Sequence, residues 1–217
     1  KICVIIAQKN SNEQFDILGI GINQSHGLSK GVVVDVNQAA HSIRSALKEA
    51  QQMASFEPEA ACVGISGSHI KSYYSQGMTP IKSQLINQDI IDNAIAASRA
   101  ITLPEHEEIL HVIPICYTID GITNVANPLG MHGMRLEITS HIITANINSI
   151  KDLVYCCQQA GIKVQDIVLE PIASGNAILN EGEKNMGALL IDIGGGTSDI
   201  ALYQKNALHY THILPVA

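Results

Sequence analysis

The chain has 217 residues, enough for one large domain or two small ones. Hydrophobic residues make up 46% but aromatics only 4% and Trp is absent, so the core must come from Ile, Val, Leu and Ala, as in α/β proteins with buried strands. A formal charge of −7 without a Lys/Arg cluster argues against nucleic acid as a partner, because phosphate-backbone binding needs a basic footprint.

In chain order, Lys1–Ala7 and Phe15–Ile22 read as strands around a polar turn, and Ser25–Gly31 as a loop leading to a short strand at Val32–Val34. A helix is expected from Asn37 to Ala54, with Val36, Ala40, Ile43, Leu47, Ala50 and Ala54 on one stripe and Asp35 with Gln38 resembling a capping box. Ala61–Ile65 is an apolar strand ending at Ser66-Gly67. From residue 68 to 146 the pattern changes. Ile70–Tyr74 reads as a strand, Gln76-Gly77 as a turn and Gln88–Ile101 as a helix whose apolar stripe belongs in a core. Leu110–Ile119 and Arg135–Ala145 read as longer strands, with a breaker-rich loop at Asn127–Gly133 between them. The main pattern resumes with a helix at Ser149–Ala160 closed by Gly161, a strand at Lys163–Leu169, and a helix opened by Glu170-Pro171. A hairpin at Gly187–Tyr203 and a strand at Leu208–Leu214 follow.

This pattern divides the chain into residues 1–67 with 147–186, an α+β insert at 68–146, and a third part at 187–217. Five cysteines, an odd number without a Cys-x-x-Cys pair, read as buried thiols in a reducing compartment. His209 and His212 lie three apart on a strand, on opposite faces, which disfavours a metal role. The sequence opens directly into a strand and closes at the end of another, and is read as a segment of something longer.

The most informative stretch is Ile191-Asp-Ile-Gly-Gly-Gly-Thr-Ser-Asp199. Glycines without a Cβ let main-chain N–H groups approach an anion, and a carboxylate at the strand end suits a hydrated Mg²⁺. Neither the Walker spacing nor a Gly-x-Gly-x-x-Gly turn opening a helix is present, because β-branched and alternating residues follow the glycines. The competing reading is a glycine-rich hairpin that binds nothing. As a phosphate clamp, Asp192 is the metal-linked carboxylate, holding Mg²⁺ through water. Gly194, Gly195, Gly196, Thr197 and Ser198 are the donors, and Lys1 is a charge-neutralising candidate. Asp199 either joins them or only holds the turn.

The order of these elements resembles that of the actin-like ATPases, and the combination with the insert resembles the bacterial cell-division FtsA family. The residues that carry it are Ser25–Asp35, Gly64–Ile70, Leu110–Pro114, Asn127–Gly130 and Ile191–Asp199. The resemblance implies an actin-like, ribonuclease-H-like lobe with an inserted FtsA-type subdomain, and ATP with Mg²⁺ as ligands. It makes Glu170 a candidate to position an attacking water, in at most a slow ATPase, the equal alternative being a helix-start Glu favoured by the dipole. It implies an adaptor that links the FtsZ ring to the cytoplasmic membrane at the division site, polymerises with itself and recruits later division proteins through the insert. Membrane attachment would come from a C-terminal helix absent from this sequence. Runner-up readings are a PilM-like pilus-assembly adaptor, a small-molecule kinase and a heat-shock chaperone, the last disfavoured by the insert.

Overall fold

The computed structural model describes residues 1–82 and 85–216. The elements run β1 (Ile2–Lys9), β2 (Phe15–Asn23), β3 (Leu28–Ser29), β4 (Val32–Val33), α1 (Val36–Ala54), β5 (Ala60–Ile65), β6 (Lys71–Pro80), α2 (Gln88–Ser98) and β7 (Glu107–Ile119). They continue with β8 (Ile122–Val125), β9 (Arg135–Asn146), α3 (Ile147–Ala160), β10 (Lys163–Leu169), α4 (Glu170–Ile178), α5 (Glu181–Met186), β11 (Ala188–Ile193), β12 (Ser198–Gln204) and β13 (Ala207–Leu214).

β1 and β2 pair antiparallel, and β5 pairs parallel with β10. Helix α1 lies directly on β2. A Cβ added at Gly21 would sit 1.8 Å from the Ala46 carbonyl oxygen, so glycine on the strand and alanine on the helix are what let the two backbones meet. Asp35 caps α1 by accepting from the Gln38 N–H, while the Gln38 amide returns to the Asp35 carboxylate. The expected stripe is largely buried, with Ala40, Leu47 and Ala50 in the core. Helix α3 packs beside α1, and Leu47, Cys157 and Ile162 gather Val4, Val63 and Val164 around them. It ends as expected at Gly161, in the left-handed conformation with φ 97°.

Strands β1 and β5 face each other without pairing. A cavity of about 430 Å³ separates them, lined by Ile2, Val4, Ala61 and Val63 and reaching Glu170 and Thr197 at one end.

The insert is a four-stranded antiparallel sheet in the order β6-β9-β7-β8 with α2 on one face. Three expectations change here. Gln76 and Gly77 do not form a turn, because β6 runs straight through them, paired with Thr139 and Ile138. Gly77 is glycine because α2 crosses there, and a Cβ would lie 2.2 Å from the Ala94 carbonyl. The sheet also gains β8, joined to β7 through Asp120 and Gly121, both at positive φ (48° and 87°), a pairing that favours tight hairpins. The helix ends at Ser98 rather than Ile101. Farther on, Glu181–Met186 is a short helix with a full capping box from Asn180 and Glu183.

The cysteines are not uniformly buried. Cys156 and Cys157 are, Cys116 is intermediate, and Cys3 and Cys62 are exposed, both lining the open cavity between β1 and β5. Strands β11, β12 and β13 form an antiparallel sheet that meets the insert along β13. There Tyr74 donates to the His209 carbonyl at 2.7 Å, and His141 Nδ1 lies 3.0 Å from the Leu208 carbonyl.

Candidate functional site

The hairpin β11–β12 is in the expected register, with Asp192 opposite Asp199 and Ile193 opposite Ser198. Its turn is closed by the Gly194 N–H donating to the Thr197 carbonyl at 2.9 Å. That donor is therefore engaged. The N–H groups of Gly195 and Gly196 make no hydrogen bond among the described residues. None of the three glycines has a positive φ. A Cβ at Gly195 would meet nothing within 4 Å, and one at Gly196 would make only ordinary contacts. The fold thus has no internal need for glycine at position 195. What glycine leaves there is bare main chain with two donors open to an anion.

Helix α4 brings two side chains to this hairpin. Its first turn is pinned to β12 by Tyr203, whose buried hydroxyl donates to the Pro171 carbonyl at 3.0 Å. Ser174 then donates to the Asp192 carboxylate at 3.0 Å, and Asp192 stays exposed. Glu170 lies across β5 at Gly64, where a Cβ would come within 3.2 Å of the Glu170 Cγ. Glu170 keeps solvent contact on the cavity side, yet protein on its other sides withdraws water from the carboxyl. That desolvation, with the charges of Asp199 and Asp192, pushes it up to about 6.

Asp199 does more than hold the turn. It is 4% exposed and accepts from the Ser66 hydroxyl at 2.7 Å, tying the end of β5 to the glycine hairpin. Burial raises its pKa, the Ser66 bond opposes that, and Asp192 adds to it. Lys1, Glu170 and Thr197 line one cavity, so three of the expected residues converge. The Ser198 hydroxyl points elsewhere, donating to the Val216 carbonyl at 2.8 Å. Among the described residues no group of three or more His, Cys, Asp or Glu side chains is placed to hold a metal. The donor set suits Mg²⁺, which keeps most of its waters and takes one or two carboxylates plus phosphate oxygens.

Sequence reading missed Ser66, Ser174, His69 and Lys30. His69 lines the cavity, and neither ring nitrogen has a partner among the described residues; burial lowers its pKa. Lys30, Ser66 and His69 lie in stretches that carry the family resemblance, but that resemblance gave them no site role, because all four reach the site through tertiary contact.

Comparison with known proteins agrees with this architecture. Residues 67–144 match the family described as the SHS2 domain inserted in FTSA. The chain is 38% identical over 217 residues to cell division protein FtsA of Pseudomonas aeruginosa, covering all of this chain and 52% of that protein. It is 39% identical over 218 residues to FtsA of Borreliella burgdorferi, covering all of this chain and 53% of that protein. The chain thus spans about half the length of the curated relatives it matches. Among solved structures, a chain of the PilM-PilN type IV pilus biogenesis complex superposes with a TM-score of 0.67 at 16% identity, over 98% of this chain and 58% of that one. The fold is that of an actin-like ATPase lobe carrying an inserted α+β subdomain, and the chain resembles FtsA along its whole length.

Proposed function

We propose that the glycine turn cradles the phosphates of ATP, with the Gly195 and Gly196 N–H groups and the Thr197 hydroxyl as donors and Asp192 holding a hydrated Mg²⁺. Gly194 and Ser198 flank this cradle, and Lys1 adds positive charge from the cavity rim. When bound, Mg²⁺ offsets phosphate charge. Glu170 stands where it would orient a water toward the terminal phosphate, and its raised pKa suits proton handling near neutral pH. The observation that carries the reading is Gly195: glycine where neither φ nor neighbours call for it, beside two unengaged donors.

At the level of the whole protein we read an actin-like cell-division adaptor. Residues 1–67 with 147–186 form the first subdomain, 68–146 the insert, and 187–217 the start of the second lobe. ATP acts mainly as a structural ligand that favours the closed arrangement and filament formation. The adaptor links the FtsZ ring to the cytoplasmic face of the membrane and recruits later division proteins through the insert. The support is the identity to FtsA over the entire chain together with the match of the insert. Membrane attachment through a C-terminal helix belongs to the same family reading; among the described residues no helix is long and apolar enough to cross a bilayer.

Isothermal titration of the full-length protein with Mg-ATP tests the site. Asp192→Ala should abolish measurable binding, and an unchanged affinity would refute the assignment of Asp192. Capture of FtsZ's C-terminal peptide by the full-length protein tests the adaptor reading, and failure to bind that peptide would count against it.

A further inference from the structure

We infer that Lys30, at the tip of the β3–β4 hairpin, is the cation that meets the terminal phosphate, so that this hairpin distinguishes a nucleoside triphosphate from a diphosphate. The inference rests on the phosphate reading of the glycine turn and adds a residue from the opposite wall of the site.

The hairpin is minimal. Leu28 pairs with Val33 and Ser29 with Val32, leaving Lys30 and Gly31 as the turn, both at positive φ (49° and 79°). A lysine in the left-handed region holds its place only where the surroundings fix it. Here they do. The N–H groups of Val34 and Asp35 both donate to the Gly27 carbonyl, at 2.9 and 3.1 Å, anchoring the hairpin to the capped start of α1. On the inner side, a Cβ at Gly31 would lie 2.2 Å from the Ser66 carbonyl, so the turn is seated on the end of β5. The Lys30 carbonyl in turn lies 3.2 Å from where a Cβ on Gly67 would be. Ser66 is the residue whose hydroxyl holds Asp199, so hairpin and glycine turn share one support.

The other side of Lys30 faces the glycines directly. A Cβ on Gly196 would stand 3.7 Å from the Lys30 nitrogen and 3.8 Å from its Cα. The main chain of Lys30 therefore abuts the third glycine, beside the two unengaged N–H donors. Leu28 and Gly31 of the same hairpin line the cavity together with Thr197 and with Glu170, the residue proposed to face the terminal phosphate. The Lys30 side chain is exposed and forms no ion pair among the described residues, although Glu170, Asp192 and Asp199 give the cleft a negative field. An ammonium on a flexible four-carbon stem is a strong point-charge partner for a phosphate. A triphosphate bridging Lys30 and the glycine turn would tie the first lobe to the second-lobe hairpin. A diphosphate, ending short of Lys30, would not.

The test is titration of the full-length protein with Mg-ATP and, separately, Mg-ADP, in the wild type, Lys30→Asn and Lys30→Arg. Asn tolerates the left-handed conformation and keeps the turn while removing the charge. Lys30→Asn should weaken ATP binding by about tenfold or more, the scale of one lost charged hydrogen bond. ADP binding should change by less than about threefold on the same scale. Lys30→Arg should retain most of the ATP preference. Equal losses for both nucleotides, or none, would overturn the inference while leaving the phosphate site standing. A wild-type protein that binds neither nucleotide, or an Asp192→Ala variant that binds both normally, would overturn the site and the inference together. An unfolding midpoint in urea unchanged from wild type excludes a folding artefact.

Discussion

The insert and the cleft use the same residue types to opposite ends. In the insert, Gly77 is glycine because α2 leaves no room for a side chain. Its acid, Glu107, is 6% exposed and fully engaged by Lys71 at 2.6 Å and by Tyr73 and Thr144 at 2.9 Å each. In the cleft, Gly195 is glycine beside open space, and Glu170 has no cation of this kind against it and is raised rather than lowered. His69 adds two ring nitrogens without partners among the described residues. A region built for packing satisfies its groups internally. On the proposed reading the cleft leaves donors and acids in reserve for a ligand, at a cost in stability that binding can recover.

The largest effect should come from closing the gap under α2. Gly77→Ala would drive a methyl into the Ala94 carbonyl and the Ser98 nitrogen, 2.2 and 2.5 Å away, and should destabilise the protein by about 3 kcal/mol or more in urea unfolding. A loss under about 1 kcal/mol would mean that α2 shifts easily, and the contrast with Gly195 would weaken.

The two acids should respond to pH with opposite signs. Burial alone would raise Glu107, but bonds from Lys71, Thr144 and Tyr73 together hold it below the ordinary carboxylate value. Its contribution is therefore present above the unfolded pKa and is lost as pH falls through the lower folded value. Glu107→Gln should cost about 2 kcal/mol at pH 7, with the difference from wild type shrinking in acid. A difference that stayed constant across the acid range would show that charge is not what holds the cluster.

Glu170 runs the other way. Its folded pKa of about 6 lies above the unfolded value, so the protein is favoured while Glu170 is protonated and loses that benefit as pH rises through 6. Glu170→Gln should raise the melting temperature slightly at pH 7.5, by about 2 °C or less given the group's solvent contact, and not at pH 4. A lowered melting temperature at pH 7.5 would place Glu170 with the structural acids.

Much of this was legible in sequence because local periodicity reports burial. The stripe Ala40, Leu47 and Ala50 in α1 and the stripe Ile91, Ala94 and Ser98 in α2 are core, and the glycine hairpin has the register its alternation implied. Gly77 misled because a glycine beside a polar residue reads as a turn, whereas the cause is a helix that arrives from later in the chain. Strand β8 is faint in sequence although Asp120-Gly121 is a hairpin signal, since the strand has only four residues. Asp192 and Thr197 were visible in the motif. Lys30 and Ser66 lie in stretches that carry the resemblance, but their place at the site depends on contacts made across more than a hundred positions, and no local pattern encodes those.

The central claim is that Gly195 serves a ligand and not the fold. It is tested most directly by Gly195→Ala in the full-length protein, measuring unfolding free energy and Mg-ATP affinity on the same preparation. The account predicts stability within about 0.5 kcal/mol of wild type and Mg-ATP binding weakened by about tenfold or more. Undiminished binding with intact stability would contradict it.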